Sequence, residues 1–263
     1  MRTRVIQVLA GGGLALLLAG CSLPLVSEQE IAIQADDQFE EMRGQMQIST
    51  DGDVRRYVFC VANAIVATLE PPYSELEWDI EIFEDDMVNA FAMPGGKIGV
   101  FTGILAVAEN QDQLAAVLGH EVAHVTEQHS VERANRTMTT QGLATIGGAI
   151  AGAAVGGGSA GSATADAVQM SAQLGLLLPY GRGQESEADI VGLDYMADAG
   201  FDPRQSVQLW KNMAENNKGA PPEFLSTHPS SNTRIADLIG RLPSSLVRYN
   251  SAKEAGKTPN CGP

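Results

Sequence analysis

Two histidines stand four residues apart in His120-Glu121-Val122-Ala123-His124, inside an apolar run that follows Asn110. Positions four apart lie on one face of a helix, one turn above the other, so both imidazoles reach a single ion if the segment is helical. Leu114, Val117, Leu118, Val122 and Val125 give that helix its apolar face, and Asn110 with Gln113 opens it as a capping box. Zinc accepts histidine nitrogen at about 2.0–2.1 Å, a bite that a helix sets without strain. Glu121 projects about 100° around the helix from His120. It therefore flanks the ion, where a general base for a metal-bound water has to stand.

Two histidines and a water leave one protein ligand to be found. The extended pattern H-E-x-x-H-x-x-G-x-x-H is not met, because Glu127 and Ser130 occupy its last two fixed positions. His129 misses by one residue. On a continuous helix it lies about 180° from His120, so it reads as a surface or second-layer residue. The remaining candidates are carboxylates further along. Glu185 and Asp189 share one face at the start of a later helix. Glu185 is placed to bind zinc and Asp189 to accept a hydrogen bond from the free nitrogen of a zinc-bound histidine. Ala188 is small enough to let two helices approach, and Glu187 reads as a solvated acid. By spacing alone, Asp166, Asp194 and Asp198 stay open beside Glu185.

Around these residues the pattern is mostly helical. Ile31, Ile33, Phe39, Met42 and Met46 mark a helix over about 27–47, and Val58, Val61, Ala62, Ile65 and Val66 a second, ended by Pro71-Pro72. Trp78, Ile80 and Ile82 alternate with Asp79, Glu81 and Phe83 as a strand does. Residues 89–93 and 97–101 form two short strands about Pro94-Gly95-Gly96. Residues 142–165 are almost all small and read as a Gly/Ala-rich insertion. A helix from about Gln184 to Ala199 ends at Gly200, Asp202-Pro203 opens the next, and a last one spans about Ser231 to Leu242. The expected fold is α+β and predominantly helical, with a small β-sheet beside the helix that carries His120 and His124.

The chain's start reads as a leader. Arg2 and Arg4 precede an apolar stretch interrupted by Gly11-Gly12-Gly13, too short for a membrane span, and Leu18-Ala19-Gly20-Cys21 resembles a bacterial lipobox. That reading makes residues 1–20 a signal peptide and Cys21 a lipidated residue at the head of a tether over 21–30. A peptidase domain over 31–250 and a tail over 251–263 follow. Acyl chains on Cys21 would hold the protein to a membrane without a spanning helix, and Ser22 points to the periplasmic face of the outer membrane. With Cys21 acylated, Cys60 and Cys261 remain, as a disulfide or as two free thiols. A net charge of -15 repels phosphate, so nucleic acid is not an expected partner.

Four motifs in order carry a family resemblance: Asn89-Ala90-Phe91-Ala92-Met93-Pro94-Gly95-Gly96, His120-Glu121-x-x-His124, Glu185-x-Glu187-Ala188-Asp189, and His228-Pro229. Together they resemble the gluzincin peptidases related to HtpX and to the CAAX prenyl endopeptidase, above all their soluble periplasmic lipoprotein members. The resemblance covers about residues 28–245. It implies a zincin-like metalloendopeptidase with one zinc ion per chain on His120, His124 and Glu185, and with Glu121 as base. It also implies that Asn89, Ala90 and Phe91 line the cleft and pair with an extended polypeptide substrate. His228 would take a fourth zinc position in a closed state or donate to the developing oxyanion, against the plainer reading of a histidine packing a loop. Arg234 would pair with Asp189 or Glu185. Unfolded or misassembled envelope proteins are the implied substrates, and outer-membrane assembly machinery is an implied partner. No appended tetratricopeptide-repeat domain is expected.

Overall fold

The computed structural model describes residues 26–139, 180–215, 223–228 and 232–262. The leader, Cys21, the stretch over 142–165 and Asp166 lie outside them. Helix α1 (Glu28–Gln45) begins where Ser27 and Glu30 close a capping box, inside the segment read as a tether. Its Ile31, Ala35 and Phe39 face inward. Helix α2 (Gly52–Val66) is capped by Asp51, whose carboxylate accepts from the Asp53 and Val54 amides. Tyr57, Val58, Val61, Ala62 and Ile65 bury its inner face.

Strands β1 (Asp79–Phe83), β2 (Ala90–Met93) and β3 (Lys97–Phe101) form one sheet in the order β1-β3-β2. β2 and β3 are the expected antiparallel pair, turned by Gly95 and Gly96 at φ 85° and 79°. β1 joins β3 in parallel, Ile80 beside Ile98. Both faces of β1 are covered, and the buried Glu81 meets Arg43 and Arg55. The two edges differ. Residues 47–49 close the edge of β1 through Ser49 N–H to Ile82 O and Glu84 N–H to Gln47 O. The outer edge of β2 has no strand partner among the described residues.

Helix α3 (Gln111–Thr126) runs through the middle, against α2, β2 and the helices that follow. Asn110 caps it by accepting from the Asp112 and Gln113 amides. Gln113 reaches back to the Glu109 amide instead of that of Asn110, and its own amide group donates to Gln205. Leu114, Leu118 and Val122 have no exposed surface; each such side chain contributes about 1.5–3 kcal/mol of burial. A further helical stretch covers 129–139.

The last helices are α4 (Arg182–Asp198), α5 (Gln205–Glu215), α6 (Glu223–Thr227) and α7 (Asn232–Glu254). α5 starts two residues after Pro203, because Asp202 spends its carboxylate on the amide and guanidinium of Arg204. α7 does not stop at Leu242 but continues through Pro243. Tertiary contacts outweigh the amide that proline lacks: Ser245 donates to Asp194, and Arg241 and Arg248 pair with Asp194 and Asp198. Beyond α7 the tail folds back over the end of α4. Gly200, at φ 91°, leaves no space for a Cβ beside the Lys257 carbonyl. Cys261 is joined to Cys60, with Cα atoms 5.5 Å apart. Among the described residues no helix is long and apolar enough to cross a membrane.

Candidate metal centre

The site exists because α3 and α4 touch backbone to backbone. A Cβ on Gly192 would stand 2.6 Å from both Gly119 C and His120 N, and one on Gly119 would stand 2.7 Å from Gly192 O. Ala188 is buried between the helices too, but the glycine pair sets the closest approach. Asp189 and Glu185 lie about one and two turns before Gly192 on α4, so the crossing delivers both carboxylates to the histidine face of α3.

His120, His124, Glu185 and His228 are all buried and offer ligand atoms within 4.8 Å of one another. His120 Nε2 lies 3.1 Å from His124 Nε2 and 3.2 Å from His228 Nδ1. Glu185 Oε1 lies 3.2 Å from His228 Nδ1 and 3.5 Å from His124 Nε2, and Glu185 Oε2 lies 3.5 Å from His120 Nε2. Bonds of 2.0–2.1 Å to a tetrahedral zinc ion put neighbouring ligand atoms about 3.3 Å apart. The set therefore fits such an ion in spacing and in donor chemistry. Asp194 and Asp198 are spent on α7 arginines, which leaves Glu185 as the α4 carboxylate in the cluster.

Around the ligand atoms stands a second set of contacts. His120 Nδ1 lies 3.1 Å from Asp189 Oδ1. Arg234 grips Asp189 with Nε and Nη2 at 2.6 and 2.7 Å and touches Glu185 Oε2 through Nη1 at 2.6 Å. Its guanidinium also lies over Trp210. Burial alone would lower the His120 imidazole, but Asp189 and Glu185 outweigh it and raise its pKa to about 9. Burial works against the charge of Asp189 as well, yet Arg234 and His120 hold that carboxyl below its usual range. Glu185 is held low against burial by His120 and His228. His124 is pushed well down, by burial first and then by the nearby imidazoles.

Glu121 points the other way, toward the sheet. Burial raises its carboxyl above the ordinary value. Its Oε1 stands 3.4 Å from His228 Nε2 and makes no hydrogen bond among the described residues. It lines a cavity of about 300 Å³ that Asn89, Ala90, Phe91 and His228 also border. The outer edge of β2, without a strand partner among the described residues, thus forms one wall of the hollow that holds Glu121.

Three residues near the site were not legible as site residues in the sequence. Tyr180 stacks on the His124 ring with centroids 3.6 Å apart, and the Arg133 guanidinium lies over the Tyr180 ring at 3.6 Å. Neither belongs to a periodic pattern or motif. His129 does not face away. α3 ends at Thr126, Gln128 adopts φ 55°, and the chain turns so that His129 is buried with Nδ1 2.9 Å from His124 Nδ1. Glu187 is mostly solvated, as expected, yet its Oε2 lies 3.3 Å from His129 Nε2.

A central helix bearing His-Glu-x-x-His, completed by a carboxylate from a crossing helix and flanked by a short sheet, is the zincin-like architecture of metallopeptidases. Within that class the chain belongs to Peptidase family M48, whose family model matches residues 51–242. It is 36% identical over 205 residues to the "Mitochondrial metalloendopeptidase OMA1" of Schizosaccharomyces pombe, covering 74% of this chain and 55% of that protein. To the protein of the same name from Arabidopsis thaliana it is 30% identical over 247 residues, 92% of this chain and 47% of the other. To the "Beta-barrel assembly-enhancing protease" of Yersinia pestis it is 28% identical over 225 residues, 85% and 45% of the two chains. The chain spans about half the length of the curated relatives it matches.

Proposed function

We propose that this chain is a zinc-dependent metalloendopeptidase that cleaves unfolded or misassembled polypeptides of a bacterial envelope. In this reading it is held to the outer membrane by lipid on Cys21 and faces the periplasm. The observation that carries the catalytic part is the convergence of His120, His124 and Glu185 beside a buried Glu121 oxygen that has no hydrogen bond among the described residues and opens into the cleft. Zinc on those ligands would polarise a peptide carbonyl and acidify water. Glu121 takes the proton from water and returns it to the leaving amine, a task suited to a carboxyl that burial has raised. The edge of β2, open among the described residues, supports an extended substrate lying against Asn89–Phe91, paired through its backbone and therefore read with little regard to sequence. The relative called a β-barrel assembly-enhancing protease favours envelope substrates and an assembly machine as partner.

Zinc content and casein cleavage, measured for the wild type and for Glu121→Gln, test this. We expect both proteins to retain zinc and the variant to lose cleavage by about 10²–10⁴-fold; equal cleavage removes Glu121 from the reaction.

A second reading, an assembly chaperone whose peptidase is gated, draws support from His228. Its Nδ1 sits in the ligand cluster and its Nε2 faces Glu121, so the ring occupies the side from which water would approach. Complementation of a deletion strain separates the two. Full rescue by Glu121→Gln favours the chaperone, and no rescue favours the peptidase.

A further inference from the structure

We propose that His129 is a positioning residue for the metal site, holding His124 in one tautomer and one ring orientation as the middle member of a relay from His124 to Glu187. This inference rests on the reading of His124 as a zinc ligand. His124 directs Nε2 at the ligand cluster, and a neutral imidazole that gives one nitrogen to a cation carries its proton on the other. His124 Nδ1–H therefore needs an acceptor. The atom that meets it, at 2.9 Å, is His129 Nδ1. As the acceptor, His129 Nδ1 bears no proton, so His129 carries its own on Nε2 and donates it toward Glu187 Oε2 at 3.3 Å. The order of the two protons follows from the lone pair that His124 must present.

Several features keep the His129 ring in place. It is 1% exposed. Its backbone carbonyl accepts from the Gln184 side chain at 3.3 Å, which ties the turn after α3 to the first turn of α4. Tyr180 stacks on the adjoining His124 ring. The two α3 histidines thus have unlike supports. His120 leans on Asp189, a carboxylate already gripped by Arg234. His124 leans on a neutral ring whose far end reaches a half-exposed carboxylate.

The test is zinc affinity of the full chain by competition with a chromophoric chelator, together with thermal unfolding of the metal-free protein. His129→Ala is expected to weaken zinc binding by about 10–100-fold, the usual effect of deleting an outer partner of a metal-bound histidine. His129→Asn, which places an acceptor oxygen where Nδ1 stood, is expected to restore most of that loss. Affinity of His129→Ala within twofold of the wild type would overturn the proposal. So would equal losses in the Ala and Asn variants, which would mean that the ring acts by filling space. A wild-type chain that binds no zinc would instead sink the metallopeptidase reading itself, so the two failures are distinguishable.

Discussion

At the scale of single residues, the site is a contest between a proton and a cation for the same nitrogen. In the metal-free chain Asp189 and Glu185 hold the His120 pKa near about 9, above its ordinary value of 6.5. Zinc needs the neutral ring, so at neutral pH its binding must expel a proton. Zinc affinity should rise with pH and level off above about 9, which chelator competition from pH 6 to 10 would show. Without metal the sign is opposite. The charged His120 contributes stability that is fully present below pH 6.5 and is lost as the pH climbs through about 9. Arg234 makes a second residue-scale case, since its guanidinium reaches both Asp189 and Glu185. Arg234→Met would keep much of the packing on Trp210 but take a buried guanidinium away from two buried carboxylates. A loss of about 3–5 kcal/mol in denaturant unfolding is expected.

Among elements, the crossing of α3 and α4 decides whether a metal site exists. Each helix alone carries half of it: two imidazoles on α3, two carboxylates on α4. The Gly119–Gly192 contact brings the halves within bonding distance of one ion, because a Cβ at either position would overlap the opposite backbone. Gly192→Ala should therefore push the helices apart, costing about 1–3 kcal/mol of stability. It should also weaken zinc binding even though residue 192 is not a ligand. Gly240→Ala is a fair control, since nothing lies within 4 Å of a Cβ there. The sheet is the other element that matters. Among the described residues one of its edges is covered and the other, along β2, is open.

For the whole molecule, the main long-range tie is between the tail and the first half of the chain. The Cys60–Cys261 bond spans a sequence separation of 201 and is backed by Gln111, which donates to Pro259 O and accepts from Cys261 N–H. Closing so long a loop restricts the unfolded chain more than the folded one. Cys261→Ser should lower unfolding stability by about 2–4 kcal/mol. The metal centre lies at the α3–α4 crossing, away from the tail, so zinc affinity at low temperature should stay within about twofold of the wild type. The acidic surface is a property of this scale too, and it belongs to solubility and partner choice instead of fold.

Much of the site was legible in the sequence because helices impose a fixed period. Four-residue spacing puts His120 above His124, and Glu185 above Asp189, whatever else the chain does. The Pro94-Gly95-Gly96 turn likewise announces its hairpin, since two successive residues at positive φ favour glycine. No local rule says which helix meets which, or where a chain turns after a helix ends. The sequence alone therefore left Glu185 among several acids and turned His129 outward. The glycine crossing singled out Glu185, and the left-handed Gln128 brought His129 back against His124. Periodicity is written in neighbours along the chain, whereas coordination is a distance between residues remote in it, and only packing sets that distance.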